Sequence, residues 1–309
     1  MAPPVVALFG PTASGKSAIA VALAGLLGGE VVSADSMQVY RGLERITNQP
    51  TAAEQRGVPH HLVGTVAPDR AYDVVQYAAD AHAAIDGILE RGAVPIVAGG
   101  SGLYLRAALA DMEFPAQVDE DVRVHIRDEV ETLGSAAAHA RLAEVDADAA
   151  ARIDPADARR IVRALELHAA GASLAPDAED ALWTPAMRHP TRLFGLQVER
   201  QALRRRIDER TPRLLDDGGI DEIAALLERG VPLSHTAARA HGVDDLRELL
   251  EGAIDRAECE RRLAARTRQY SKSQDTWLSR LDHAELVDAN HPAEAVAGEI
   301  AERLRTQPR

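Results

Sequence analysis

The chain has 309 residues, 46% of them hydrophobic, a formal net charge of −13 at pH 7 and a single cysteine. That length and apolar fraction allow one large domain with a smaller companion and argue against a disordered chain, while the charge argues against sequence-blind binding to nucleic acid, which draws its affinity from neutralised phosphates. Cys259 alone closes no internal disulfide and builds no cysteine-rich zinc site, no apolar run nears the roughly 20 residues that span a bilayer, and the start Met-Ala-Pro-Pro has no basic n-region, so the expectation is a soluble, cytoplasmic chain with no membrane attachment.

Apolar runs at 5–9, 31–34 and 94–98 predict strands, and the periodic stretches 17–27 and 74–91 predict helices between them. Strands alternating with helices imply a parallel sheet wrapped by helices. From 119 to 171 strand patterning stops, and Ala-, Glu- and Arg-rich segments such as 122–133 and 159–170 take helical spacing. Pro176, Pro185 and Pro190 then interrupt 171–190, which reads as a loop. Strand character returns at 193–198, before arginine-rich helices over 200–217, 221–229 and 256–281, a short strand at 285–288 and a closing helix at 293–305.

Residues Gly10, Pro11, Thr12, Ala13, Ser14, Gly15, Lys16 and Ser17 fit G-x-x-x-x-G-K-[ST], directly after an apolar strand and before an amphipathic segment. Glycines let such a loop curl so that its N–H groups face a diphosphate, the helix N-terminus adds positive potential, and Lys16 adds a point charge. Ser17 can offer its hydroxyl to Mg²⁺. Of 35 basic residues only Lys16 and Lys272 are lysine, so lysine at this position stands out. The motif makes the expected fold α/β and P-loop NTPase-like, a parallel sheet with helices on both faces formed by 1–118 and 191–309, plus a helical insertion domain at 119–190.

A diphosphate-binding loop does not itself specify ATP. The second strand runs into Ser33-Ala34-Asp35-Ser36, which places Asp35 at the carboxyl edge of the sheet as a general base or metal ligand. The third runs into Gly99-Gly100-Ser101-Gly102, placing Ser101 at the same edge. No acidic residue ends that strand, which disfavours ATP hydrolysis. His60 and His61 show no third ligand in sequence, Trp277 reads as a packing residue, and Arg204, Arg205, Arg206, Arg210 and Arg213 read as a mixed surface with acidic partners.

Taken in order, Gly10 to Ser17, Ser33-Ala34-Asp35-Ser36, Gln38-Val39-Tyr40-Arg41-Gly42, His60-His61-Leu62, Ala98-Gly99-Gly100-Ser101-Gly102-Leu103-Tyr104, Arg160-Ile161-Val162-Arg163-Ala164-Leu165-Glu166, Arg206-Ile207-Asp208-Glu209-Arg210 and the segment from Thr267 to Trp277 resemble the tRNA dimethylallyltransferase family over nearly the whole chain. The resemblance implies transfer of a dimethylallyl group from dimethylallyl diphosphate to N6 of adenosine 37 in the anticodon loop of tRNA, with Mg²⁺ as cofactor and no obligate protein partner. It implies that the backbone from Thr12 to Ser17 and the Lys16 ammonium hold the diphosphate, that Asp35 takes the proton of the attacking amine, and that Ser101, where the family usually has threonine, bonds near the reacting centre. The tRNA-contacting positions it implies are Asp35, Ser36, Met37, Gln38, Ser101, Arg123, Arg159, Arg160, Ile161, Val162 and Arg163, the anticodon loop entering between core and insertion. The chain departs from the family at Gln49, where a lysine is common, and at Asp244 and Ser273, where arginines are common. The alternatives left open by the residues are an isopentenyltransferase acting on free adenine nucleotide, a small-molecule kinase and a non-catalytic nucleotide- or RNA-binding module.

Overall fold

The computed structural model describes residues 3–114, 118–174, 186–230 and 232–306. Pro176 and Pro185, with most of the predicted 171–190 loop, lie outside the described residues. Two compact units divide the chain: Met1–Asp111 with Pro185–Arg309, and Met112–Thr184.

The first unit is built on six parallel strands in the order β3-β2-β4-β1-β5-β6, namely β1 Val5–Phe9, β2 Gly29–Ser33, β3 His60–His61, β4 Val94–Gly99, β5 Thr191–Gln197 and β6 Glu285–Asp288. Parallel strands need crossovers, and the amphipathic runs read from the sequence supply them as α1 Lys16–Leu27 and α3 Val74–Glu90. Side chains alternate across a strand, so Val6 and Leu8 join Val31, Ile96, Phe194 and Leu196 on one face, packed with α1 and the closing helix Ala293–Thr306. Ala7, Phe9, Val32 and Val97, all buried, serve the opposite face, where α3 packs on β2 and β4. Burying each of the larger of these side chains contributes about 1.5–3 kcal/mol.

Local chemistry sets the helix ends. Gly15 and Gly28 take φ of 88° and 62° on either side of α1, and such a left-handed backbone favours glycine. Asp73 caps α3 by accepting from the Val75 and Gln76 amides, and Gln76 closes a capping box. The sequence did not suggest α2 Ala52–Gln55 or α4 Gly102–Leu109. The helix expected over 200–217 ends sooner: Arg200–Leu214 gives way to a wide turn in which Asp217 and Gly218 (φ 100°) leave helical geometry, before the helix Ile220–Glu228. Two glycines in Asp216-Asp217-Gly218-Gly219 explain the break. A short helix Val243–Leu250 and the long helix Arg256–Leu278 complete this unit's C-terminal part.

The second unit is helical: α5 Glu120–Leu133, α6 Ser135–Val145, α7 Ala147–Ala150 and α8 Ala158–Ala169. Asp119, Asp146 and Asp157 each accept a backbone N–H at a helix start. Its core gathers Ile126, Val130, Leu142, Ile153, Ile161 and Leu165.

Candidate active site

In a parallel sheet the crevice beyond the carboxyl ends of the strands is where ligands bind, at the point where strand order reverses. Here β1 lies between β4 and β5, and its chain crosses over β4 to reach β2. The loops leaving β1, β2 and β4 therefore meet: Gly10 to Ser17, Ala34-Asp35 and Gly99 to Gly102. The approach of β2 and β4 is close enough that a Cβ on Gly99 would lie 2.0 Å from the Ala34 carbonyl oxygen, so only glycine fits.

A cavity of about 750 Å³ opens there, lined by Thr12, Ala13, Gly15, Lys16, Ser17, Asp35, Gln38, Gly99, Arg206, Arg210, Tyr270 and Gln274, among others. Lys16 Nζ donates to the Pro11 carbonyl at 3.1 Å. Burial pulls the Lys16 pKa down to about 8; the Asp35 carboxylate works against that fall and the Arg210 charge adds to it. Asp35 Oδ1 accepts from the Met37 amide at 2.9 Å and, at 3.4 Å, from that of Gln38. That turn fixes the carboxylate and leaves its second oxygen without a hydrogen bond among the described residues. Burial raises the Tyr270 pKa, and the nearby Asp35 charge raises it further.

The structure distributes the predicted diphosphate set unevenly. Thr12, Ala13, Gly15, Lys16 and Ser17 line the cavity. Pro11 and Ser14 are buried, and Gly10 packs against Leu196. The Thr12 N–H donates to Gln274 Oε1 at 2.7 Å. Ser101, at the start of α4, has no side-chain capping bond; it does not line the cavity.

The tRNA-contacting expectations also separate. Asp35 and Gln38 line the cavity, while Ser36 and Met37 are half-buried outside it. Gln38 points inward chemically: Oε1 accepts from Ser33 Oγ at 3.0 Å, and Nε2 donates to the Thr47 and Asn48 carbonyls at 3.3 and 2.9 Å. Three of its four hydrogen-bonding positions are thus taken internally, and the amide holds the 47–48 turn. In the second unit, Arg159 and Arg160 are exposed, and Arg163 Nη1 donates to Glu166 at 3.3 Å. Arg123 Nη1 donates to Glu120 at 2.9 Å. Ile161 is fully buried and Val162, half-buried, packs on the same core, so both side chains help hold the helix.

Sequence reading missed four residues. Arg206 and Arg210, expected on a mixed surface, line the cavity: Arg206 Nη1 donates to the Ala13 carbonyl at 3.2 Å and Arg210 Nη2 to Thr12 Oγ1 at 3.1 Å. Arg210 is buried enough for desolvation to lower its pKa. Tyr270 and Gln274 join them from the helix Arg256–Leu278. Both pairs are spaced i,i+4, which puts each on one helix face. Trp277 packs as expected, its ring so close to Gly102 that a Cβ there would meet it at 1.9 Å. His61 Nε2 bonds Glu30 at 2.6 Å, and His60 Nδ1 the Val58 carbonyl at 2.8 Å. Gln49 is buried and donates to the Tyr40 carbonyl at 2.7 Å, whereas Asp244 and Ser273 are both exposed.

Comparison with known proteins places the chain among relatives. The model of one sequence family, IPP transferase, matches residues 38–281. A tRNA dimethylallyltransferase of Anaeromyxobacter dehalogenans is 42% identical over 305 residues, 96% of this chain and 97% of its own. Among solved structures, a full-length tRNA isopentenylpyrophosphate transferase from Bacillus halodurans is 33% identical with a TM-score of 0.69, covering 98% of this chain and 97% of its own. A eukaryotic dimethylallyltransferase described as acting on tRNA is 26% identical with a TM-score of 0.78, covering 98% of this chain and 78% of its own.

Proposed function

The chain belongs to the IPP transferase family, and from that premise we propose that it transfers a dimethylallyl group from dimethylallyl diphosphate to N6 of adenosine 37 in the anticodon loop of tRNA. The observation that carries this reading is the cavity that brings Lys16 and Asp35 together with Arg206 and Arg210. Lys16, Arg206 and Arg210, three of the cationic residues that line this cavity in a chain with net charge −13, make a local site for a diphosphate, and the Asp35 carboxylate beside them is a proton acceptor.

In the reaction the allylic C–O bond to diphosphate breaks and an N–C bond to the adenine N6 forms. The N6 proton passes to the unbonded oxygen of Asp35, and diphosphate departs. Lys16, with the amides of the loop beyond Thr12, holds the charge that develops on the leaving oxygens, and Arg206 and Arg210, which bond the same loop at Ala13 and Thr12, add donors. Ser101 stands outside the cavity lining and is assigned to the acceptor side from the family resemblance. An adenine stacked in a loop must be drawn out before its N6 can react, at a cost of a few kcal/mol that an open anticodon loop reduces.

The donor set also fits Mg²⁺. Ser17 Oγ makes no hydrogen bond among the described residues and shares the cavity with Asp35, and two hard oxygens suffice for an ion that takes its remaining ligands from diphosphate and water. Bound there, the ion neutralises leaving-group charge. We assign RNA-phosphate contacts in the second unit to Arg123, Arg159, Arg160 and Arg163, and a cytoplasmic location to the protein, where tRNA is found.

The test is incubation of the protein with Mg²⁺, dimethylallyl diphosphate and unmodified tRNA carrying A36-A37-A38, with mass spectrometry of the nucleosides. A prenylated adenosine that disappears with Asp35→Ala supports the assignment of reaction and base. No product with tRNA, but product with AMP or ATP-dependent phosphorylation of a small molecule, overturns it.

A further inference from the structure

One side chain joins parts of the cavity that the sequence keeps far apart. Gln274 is 3% exposed. Its Oε1 accepts from the Thr12 N–H at 2.7 Å and its Nε2 donates to the Gly100 carbonyl at 3.0 Å. A side-chain hydrogen bond with Gln274 also lowers the pKa of Tyr270, one turn earlier on the same helix, against the rise that burial and Asp35 impose. The fit is tight: a Cβ on Gly100 would stand 2.0 Å from Gln274 Nε2 and 3.0 Å from the Gly10 carbonyl oxygen. A buried amide with both ends bonded is held firmly, because leaving either end unpaired costs about 1–3 kcal/mol.

On the transfer reading, the two partners belong to the two halves of the reaction. Thr12 belongs to the loop that holds the leaving group, and Gly100 precedes Ser101 on the acceptor side. We propose that Gln274 is a positioning residue for prenyl transfer, fixing the diphosphate loop against the Gly100–Ser101 turn and so setting the separation of the allylic carbon from the attacking amine. This rests on the transfer reading above. Gln274 occupies the Thr12 amide and leaves the amides after it to the phosphates, so its effect falls on the reacting distance and not on diphosphate affinity. A misplacement of about 1 Å costs on the order of a hundredfold in rate.

The experiment compares wild type, Gln274→Ala and Gln274→Glu in single-turnover transfer at saturating tRNA and dimethylallyl diphosphate, alongside calorimetric binding of inorganic diphosphate and thermal melting. Gln274→Ala is expected to lower the transfer rate by about tenfold or more while the dissociation constant for diphosphate moves by less than about threefold. Gln274→Glu separates positioning from mere support. Its carboxylate still accepts from Thr12 but cannot donate to Gly100, whereas its protonated form does both. Its rate relative to wild type is therefore expected to rise as pH falls from 8 to 6. If Gln274→Ala does not fold, that pH-dependent recovery decides alone. Transfer by both variants within twofold of wild type, or a constant Gln274→Glu to wild-type ratio across the pH range, overturns the inference. Wild-type protein that makes no prenylated adenosine sinks the transfer reading itself.

Discussion

Raising the pH through about 8 removes the proton from Lys16 in the ligand-free protein, because burial has lowered its pKa to about that value. The cationic form is present below this pKa and lost above it, and only the cation attracts the donor diphosphate. The protonated fraction falls from about nine tenths at pH 7 to about one tenth at pH 9, so kcat/KM for dimethylallyl diphosphate should drop about tenfold across that interval. A bound diphosphate returns negative charge to the ammonium and raises its pKa, so kcat at saturating donor should stay level. Lys16→Arg replaces the titrating group by one that keeps its charge. Its kcat/KM should be lower overall but flat from pH 7 to 9. Steady-state kinetics at fixed Mg²⁺ and saturating tRNA reads both profiles. A wild-type profile level to pH 9, or the same decline in Lys16→Arg, refutes the assignment of Lys16 as the titrating diphosphate ligand.

Arg210→Ala should weaken binding of inorganic diphosphate by about 10- to 100-fold, the cost of a lost charge-assisted hydrogen bond of about 1.5–3 kcal/mol, whereas Arg205→Ala, on the exposed side of the same helix, should leave calorimetric affinity within about twofold. Ile161→Ala should destabilise the helical unit by about 2–5 kcal/mol in urea unfolding; a change under about 0.5 kcal/mol would contradict its place in the core. Glu222 accepts the Arg45 and Ile46 amides at 2.7 and 3.0 Å, yet burial lifts its pKa to about 7. A carboxyl raised in the folded state stabilises most below its unfolded pKa and loses that contribution as pH rises through about 7. The melting temperature of Glu222→Gln relative to wild type should therefore increase between pH 5 and 8, and a constant difference would count against it.

The sequence made the glycine-rich loop legible because every residue that shapes it lies within eight positions, flanked by a strand and a helix. Asp35 was legible for a related reason: it follows a strand end, and a parallel sheet puts such ends on one edge, whereas Ser101, read in the same way, does not line the cavity. Arg206 and Arg210 were not separable from Arg204, Arg205 and Arg213, since five arginines within ten positions cover several faces of a helix and only tertiary packing picks one. Gln274 gave less signal still, a neutral side chain in a polar helix whose partners are 262 and 174 positions away. Gln38 entered as a contact through the family resemblance alone, and no local pattern in the sequence announces that its amide is turned to the 47–48 carbonyls. Strand β3 has two residues, too few for any alternation to show.

The separation of 262 residues between Thr12 and Gln274 also sets a clock. At about 5–20 residues per second, a ribosome finishes the codon for Gln274 roughly ten to fifty seconds after that for Thr12. By the end of that interval the lysine, the carboxylate and the strands β4 and β5 that flank β1 have all been made, and the bond from Thr12 to Gln274 is still missing. The bridge from Thr12 through Gln274 to Gly100 therefore closes only after the long C-terminal helix has been made.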